Sequence, residues 1–176
     1  MTRLLTTSFL ALGLGFGAAQ AQVVGDIDVI ANFMTDYGLP VEKTKDSDGD
    51  PKIESRIEGT NFSVYFYGCD VGQPCDSMQF SAGFNLNDPL SMDTVNDWNR
   101  GKRFGKVYID EDGDPFIEYD INLDFDGVGA KNFDDTIDLW RVILGQFRDH
   151  IDWESKGTKE PSMNGKIETR LAELGI

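Results

Sequence analysis

The chain has 176 residues, 31 acidic against 16 basic, and a net charge of −15. A surface this negative argues against nucleic acid, whose phosphates need Lys and Arg to displace counterions, and against docking on anionic lipid. The length allows one domain with a real core.

The first residues read as an export signal. Arg3 is a short positive region, Leu4 to Phe16 is mostly apolar, and Ala19-Gln20-Ala21 offers a small-x-small cleavage site. The apolar run is too short to span a bilayer, and no cysteine follows it for a lipid anchor. These features predict a signal peptide over residues 1–21, cleavage after Ala21, a periplasmic location and no membrane insertion afterwards. Loss of Arg3 with the leader leaves 15 basic residues against 31 acidic ones.

A helix fits Asp26 to Tyr37, where Ile27, Ile30, Ala31, Met34 and Tyr37 fall on one face. Asp26 is its predicted cap, and Gly38 closes it ahead of Pro40. Val41 to Lys45 and Ile53 to Ile57 then flank an acidic block as a hairpin. In the next strand Phe62, Val64 and Phe66 alternate with Ser63, Tyr65 and Tyr67. Either set can face the core, and the pattern does not choose between them.

The segment Cys69 to Cys75 follows as a loop containing Gly72 and Pro74. An even cysteine count in an exported chain predicts a disulfide between Cys69 and Cys75. Closing so short a loop stabilises by roughly 2 kcal/mol in the chain-entropy account. The spacing is not that of a redox C-x-x-C pair. A zinc site is poorly supplied too, because His150 is the only histidine. After the loop, Met78, Phe80, Ala82 and Phe84 alternate with Ser77, Gln79, Ser81 and Gly83, as in a half-buried strand.

Ser91 caps a short helix to Arg100 that carries Val95 and Trp98. Phe104, Val107 and Ile109 lead to a second acidic block. Beyond it a long strand is expected, with Ile117, Tyr119, Ile121, Leu123 and Phe125 inward and Glu118, Asp120, Asn122 and Asp124 on a wet, acidic face. The main helix is expected from Phe133 to Ile151, capped by Asn132, with Asp134 and Asp135 at the positive end of its dipole. Phe133, Ile137, Trp140, Leu144, Phe147 and Ile151 form a stripe that Leu139, Val142 and Ile143 widen. So broad a face needs a covering partner. Glu154 to Gly165 reads as a polar linker, and Ile167 to Leu174 as a short amphipathic tail helix in the segment 154–176. The resulting class is α+β: an antiparallel sheet with helices packed on one face, in the order α-β-β-β-β-α-β-β-α.

The two acidic blocks are the same sequence, D-x-D-G-D-P-x-I-E, at Asp46 to Glu54 and at Asp110 to Glu118. Alternating aspartates are the hard oxygen ligands that calcium takes, so Asp46, Asp48, Asp50, Asp110, Asp112 and Asp114 are candidate ligands. An EF-hand loop, however, needs a glycine sixth and a glutamate twelfth. Counting twelve from Asp46 and from Asp110 gives Ile57 and Ile121, which are expected to point into the core. Asp-Gly between alternating runs is also a hairpin signature. The blocks therefore read first as equivalent turns of a pseudo-duplicated plan, with calcium binding as the alternative.

Catalytic patterns are thin. Glu118 and Asp120 are carboxylates two residues apart, and glycoside hydrolases use a pair of carboxylates, but any acidic strand face gives that spacing. His150 follows Asp149 near a helix end, where a cationic ring complements the dipole. No G-x-S-x-G serine or phosphate loop accompanies it. Trp140 belongs to the core stripe, and Trp98 and Trp153 complete the tryptophans.

Several stretches together resemble a known family. They are Gly49-Asp50-Pro51-x-Ile53, Phe62-x-Val64-Tyr65-Phe66-Tyr67-Gly68-Cys69, Cys75-x-x-Met78-Gln79-Phe80, Val95-Asn96-Asp97-Trp98-Asn99 and Phe104-x-Lys106-Val107-Tyr108. The long strand with Gly127-Val128 and the helix carrying Phe133, Trp140 and Phe147 continue the pattern. Over about residues 26–152 the chain resembles exported members of the YbjN-domain family, labelled a bacterial sensory transduction regulator. The resemblance implies a domain over residues 22–153 with a fold like that of type III secretion chaperones, which are α+β and commonly dimeric. It thus implies a protein partner or self-association rather than catalysis, no cofactor, and no catalytic residues to carry over. The export signal and the cysteine pair depart from cytoplasmic members and put a cytoplasmic regulatory role in doubt. The reading is a non-enzymatic, exported, protein-binding or chaperone-like module. A calcium-responsive module and a carboxylate-dependent hydrolase are its alternatives.

Overall fold

Two-residue alternation builds the sheet, and one long amphipathic helix covers it. The computed structural model describes residues 22–153. The predicted signal peptide and the predicted linker and tail helix lie outside the described residues. Strands β1 (Gln22–Val23), β2 (Val41–Lys45), β3 (Pro51–Ile57), β4 (Thr60–Tyr67), β5 (Ser77–Gly83), β6 (Lys106–Ile109), β7 (Pro115–Asn122) and β8 (Val128–Gly129) are joined by helices α1 (Ile27–Tyr37), α2 (Met92–Gly101) and α3 (Ala130–His150). Six strands form one sheet in the order β2-β3-β4-β5-β7-β6, and every neighbouring pair is antiparallel. This is the α+β class and, apart from two short strands, the element order expected from the sequence. The short strands β1 and β8 pair with each other as a second sheet.

Register decides which side chains meet. Ile53 pairs with Val64, Val64 with Phe80, and Phe80 with Tyr119, giving an apolar row on one face. The residues between them form the other face, because successive side chains on a strand point to opposite sides. The apolar face is sealed by α1 and α3. Ile30, Ala31, Met34 and Tyr37 of α1 are buried, as are Phe133, Ile137, Trp140, Ile143, Leu144 and Phe147 of α3. Trp140 stacks on Phe80 at 5.5 Å between centroids and meets Phe62 edge-on at 6.0 Å. Helix α2 closes the β6 end of the same layer, with Trp98 packed on Phe147 at 5.0 Å and its indole N–H donated to the Gly105 carbonyl.

The predicted caps of the first two helices hold. Asp26 accepts the N–H groups of Asp28 and Val29, Ser91 accepts that of Thr94, and Gly38 closes α1 in the left-handed region. The cap of α3 is different. The helix begins at Ala130 behind Gly129, with no side-chain cap, and Asn132 lies inside the helix, where its carbonyl accepts the Thr136 hydroxyl. The reason is long-range: β8 pairs with β1 and delivers the chain to the helix earlier than local pattern indicates. Asp134 and Asp135 consequently lie beyond the first turn. Val142 is exposed and does not widen the stripe. Two strand expectations also shorten. β7 ends at Asn122, and Phe125 sits 93% exposed in a turn with φ +61°, its N–H held by Asp124. Phe104 precedes β6 and is exposed, and Ile121 is only half-buried.

Polar contacts then lock the helix layer to the sheet. Glu58 lies in the two-residue turn between β3 and β4. Arg141 donates to its carboxylate at 3.2 Å, and Arg148 donates to its backbone carbonyl at 2.7 Å and to Thr60 at 3.3 Å. Tyr37 of α1 hydrogen-bonds Asp138 of α3, and burial, reinforced by that carboxylate, holds its phenol above the ordinary tyrosine range. A charged donor to a half-buried carbonyl is worth roughly 1.5–3 kcal/mol, whereas an exposed ion pair gives about 0–1 kcal/mol. Arg148→Ala is therefore expected to cost about 2 kcal/mol in urea unfolding. Arg100→Ala, which removes the exposed pair with Asp97, is expected to cost under about 0.5 kcal/mol.

Candidate functional site: the open face of the sheet

With Phe62, Val64 and Phe66 under α3, the alternate residues of the same strands are left on the uncovered face. Lys52 pairs with Tyr65, Tyr65 with Gln79, and Gln79 with Asp120. One row further on, Glu54, Ser63, Ser81, Glu118 and Lys106 lie in line across five strands. The sequence left the facing of the β4 tyrosines undecided; the register puts them outward.

A polar diagonal crosses this face. The Tyr67 hydroxyl donates to the Gln79 side-chain carbonyl at 3.1 Å, and the Gln79 amide donates to Asp120 at 2.9 Å and to Glu118 at 3.3 Å. Tyr108 stacks on Phe116 at 5.4 Å and 13° and lies beside Glu118. Tyr67 and Tyr108 are 44% and 45% exposed, large values for rings fixed on a sheet. Burial raises the Glu118 carboxyl, and the Asp120 charge raises it further, while Tyr108 partly offsets both. The Tyr67 hydroxyl is pushed up by burial and then by Glu118 and Asp120, and the Tyr108 hydroxyl by burial and then by Glu118, so both stay protonated at neutral pH. Gln79 and Tyr108 were not singled out from the sequence. Their only sequence signal was position on the polar side of an alternating strand.

The six candidate calcium ligands fall into two separate turns. Asp46 Oδ1 accepts the N–H groups of Asp48 and Asp50, and Asp110 Oδ1 accepts those of Asp112 and Asp114. Backbone bonds repeat as well, from Asp46 to Asp50 and from Asp110 to Asp114, each at 3.0 Å. Asp114 also accepts the Leu86 N–H at 2.9 Å. The hairpins β2–β3 and β6–β7 occupy opposite edges of the sheet and run in opposite directions, so the two blocks lie at opposite ends and do not converge. Among the described residues no group of three or more His, Cys, Asp or Glu side chains is arranged to hold a metal.

Cys69 and Cys75 form the predicted disulfide, with Cα atoms 4.1 Å apart. The closed loop holds the segment between β1 and α1: Cys75 N–H donates to the Gly25 carbonyl at 2.9 Å. A Cβ at Gly25 would stand 1.9 Å from the Cys75 carbonyl oxygen, so only glycine fits there. His150 bridges two helices instead of facing a reaction site, its ring against Trp98 and its Nε2 3.0 Å from the Thr94 carbonyl. Trp153 packs on Phe84.

A sequence model of the YbjN family, described as "Putative bacterial sensory transduction regulator", matches residues 26–153, from the cap of α1 to the residues that follow α3. The chain belongs to the YbjN family. No curated protein matches it. Among the described residues of this YbjN domain, no helix is long and apolar enough to cross a membrane.

Two measurements probe the twin turns and the open-face carboxylate of this YbjN domain. Gly49 and Gly113 hold the same left-handed place in the twin turns, at φ +94° and +90°, but an added Cβ meets nothing at Gly49 and lies 2.7 Å from Pro89 at Gly113. Gly49→Ala should cost about 1 kcal/mol in denaturant unfolding, and Gly113→Ala clearly more. For Glu118, a folded-state pKa above the unfolded value means that the native state binds the extra proton, so this group's penalty is complete above the folded pKa and is relieved as pH falls through it. Glu118→Gln should therefore be more stable than the parent at neutral pH. The difference should vanish on acidification to about pH 3, below the ordinary glutamate range.

Proposed function

We propose that this YbjN protein is an exported, non-enzymatic, protein-binding module of chaperone-like or regulatory character, and that the open sheet face is its contact surface. One observation carries the reading: helices cover a single face of a six-stranded sheet, and the other presents Tyr65, Tyr67, Tyr108 and Phe116 among polar groups. Tyrosine and phenylalanine are enriched at protein interfaces, where a rigid ring gives much contact area for little entropy. The family description of a sensory regulator agrees with binding rather than turnover. The leader-like residues 1–21 and the disulfide favour an oxidising compartment, for which the periplasm is our assignment. Glu118 and Asp120 stand side by side on an open sheet, which supports binding better than the enclosed cleft that a hydrolase needs.

Site-specific photo-cross-linking in the periplasm tests this. A photoreactive residue at position 67 or 108 should give one and the same protein adduct, and one at Val142, exposed on α3, should give none. Tyr67→Ala and Tyr108→Ala should each weaken the isolated complex about tenfold, as interface anchors do. Absence of any adduct, together with a monomer in solution scattering, would overturn the reading.

A further inference from the structure

Two carboxylates of the open face, Glu118 and Asp120, have no cation of their own among the described residues. Among the described residues, no Lys, Arg or His nitrogen forms an ion pair with Glu118 or Asp120. Their donors are neutral: the Gln79 amide is shared between them, and the Tyr108 hydroxyl bonds Glu118. The two lysines on the face are committed elsewhere. Lys106 stands opposite Glu118 in register, yet its Nζ is bonded to the carbonyls of Asn99 at 3.0 Å and Lys102 at 2.7 Å. Lys52 pairs with Glu54 and lies over the Tyr65 ring, 5.3 Å from its centroid. Two negative charges therefore share a patch between the exposed rings of Tyr67 and Tyr108. Tyrosine faces attract cations electrostatically, and an incoming cation would offset the Asp120 like charge that helps raise the Glu118 carboxyl.

We propose that the open face takes a Lys- or Arg-bearing segment of its protein partner, with a cationic head group seated between Tyr67 and Tyr108 against Glu118 and Asp120. This rests on the open face being the contact surface and names the chemistry it selects. Lys52 over Tyr65 shows the same pairing within the chain.

Deca-lysine and deca-arginine, titrated into the protein and followed by NMR, serve as probes, with deca-glutamine as the neutral control. The cationic peptides should shift the resonances of Tyr67, Gln79, Tyr108, Glu118 and Asp120 first, and deca-glutamine should shift none. A chain of net charge −15 draws any polycation, so location and matched charge decide. Glu118→Gln with Asp120→Asn should weaken cationic-peptide binding about tenfold, the sum of two exposed ion pairs. Asp48→Asn with Asp112→Asn, an equal change of charge at the exposed turn tips, should change it less than about twofold by the same measure of screened surface charge. Equal losses in both double variants, or shifts that avoid the open face, overturn the cationic-segment inference. Either result leaves cross-linking at positions 67 and 108 intact, whereas failure of that cross-linking strikes the contact-surface reading itself.

Discussion

The burial of Trp140 against Phe80 and Phe62 is the contact on which the rest of this molecule depends. It sets α3 across the middle of the sheet and so chooses which face is core. The indole N–H finds no acceptor among the described residues, a loss of roughly 1–3 kcal/mol. Burying 150–250 Å² of aromatic surface at about 25 cal/mol per Å² contributes roughly 4–6 kcal/mol, so apolar packing outweighs the orphaned donor. Arg141 and Arg148 then fix the helix against the β3–β4 turn. Once one face is committed, the tyrosines, Gln79 and the paired carboxylates are uncovered by default. The candidate surface is the remainder of the core decision.

The duplicated acidic turn has its meaning at the sheet edges. Each copy joins an outermost strand to its inner neighbour, β2 to β3 and β6 to β7. Each follows a helix, so the two edges are built by one repeated plan. Edge strands invite pairing with other chains unless they are blocked. On β6 the Asn99 side chain acts as a substitute strand, accepting the Val107 N–H and donating to the Val107 carbonyl, both at 3.0 Å. On β2 the protection is charge, from Glu42, Lys43 and Lys45. With its edges guarded in this way, the sheet leaves its open face rather than its rim available.

Local chemistry was legible wherever one signal stood unopposed. Asp26, Ser91 and Gly38 were readable as helix ends because capping is satisfied within a few residues. The twin turns were readable because Asp-Gly between alternating runs has few other solutions, and counting to Ile57 and Ile121 disposed of an EF-hand. Asn132 misled because it has the chemistry of a cap but not the place: pairing of β8 with the distant β1 started α3 earlier. Phe125 misled because alternation continued past the end of β7, where Asp124 turns the chain. Gln79 was invisible as a site residue because its partners Tyr67, Glu118 and Asp120 come from two other strands.

The sequence by itself determined the α+β class, the element order of the main sheet, the caps of the first two helices, the cysteine pair and the two equivalent turns, since each of these follows from periodicity or from contacts between near neighbours in the chain. The tertiary structure alone decided which side of β4 is buried. Phenylalanine and tyrosine alternate there with similar appetite for burial, and the choice falls to a helix that lies far away in sequence. It also decided that Gln79, Glu118, Asp120, Tyr67 and Tyr108 share one surface, because register across four strands is a long-range property that no local pattern encodes.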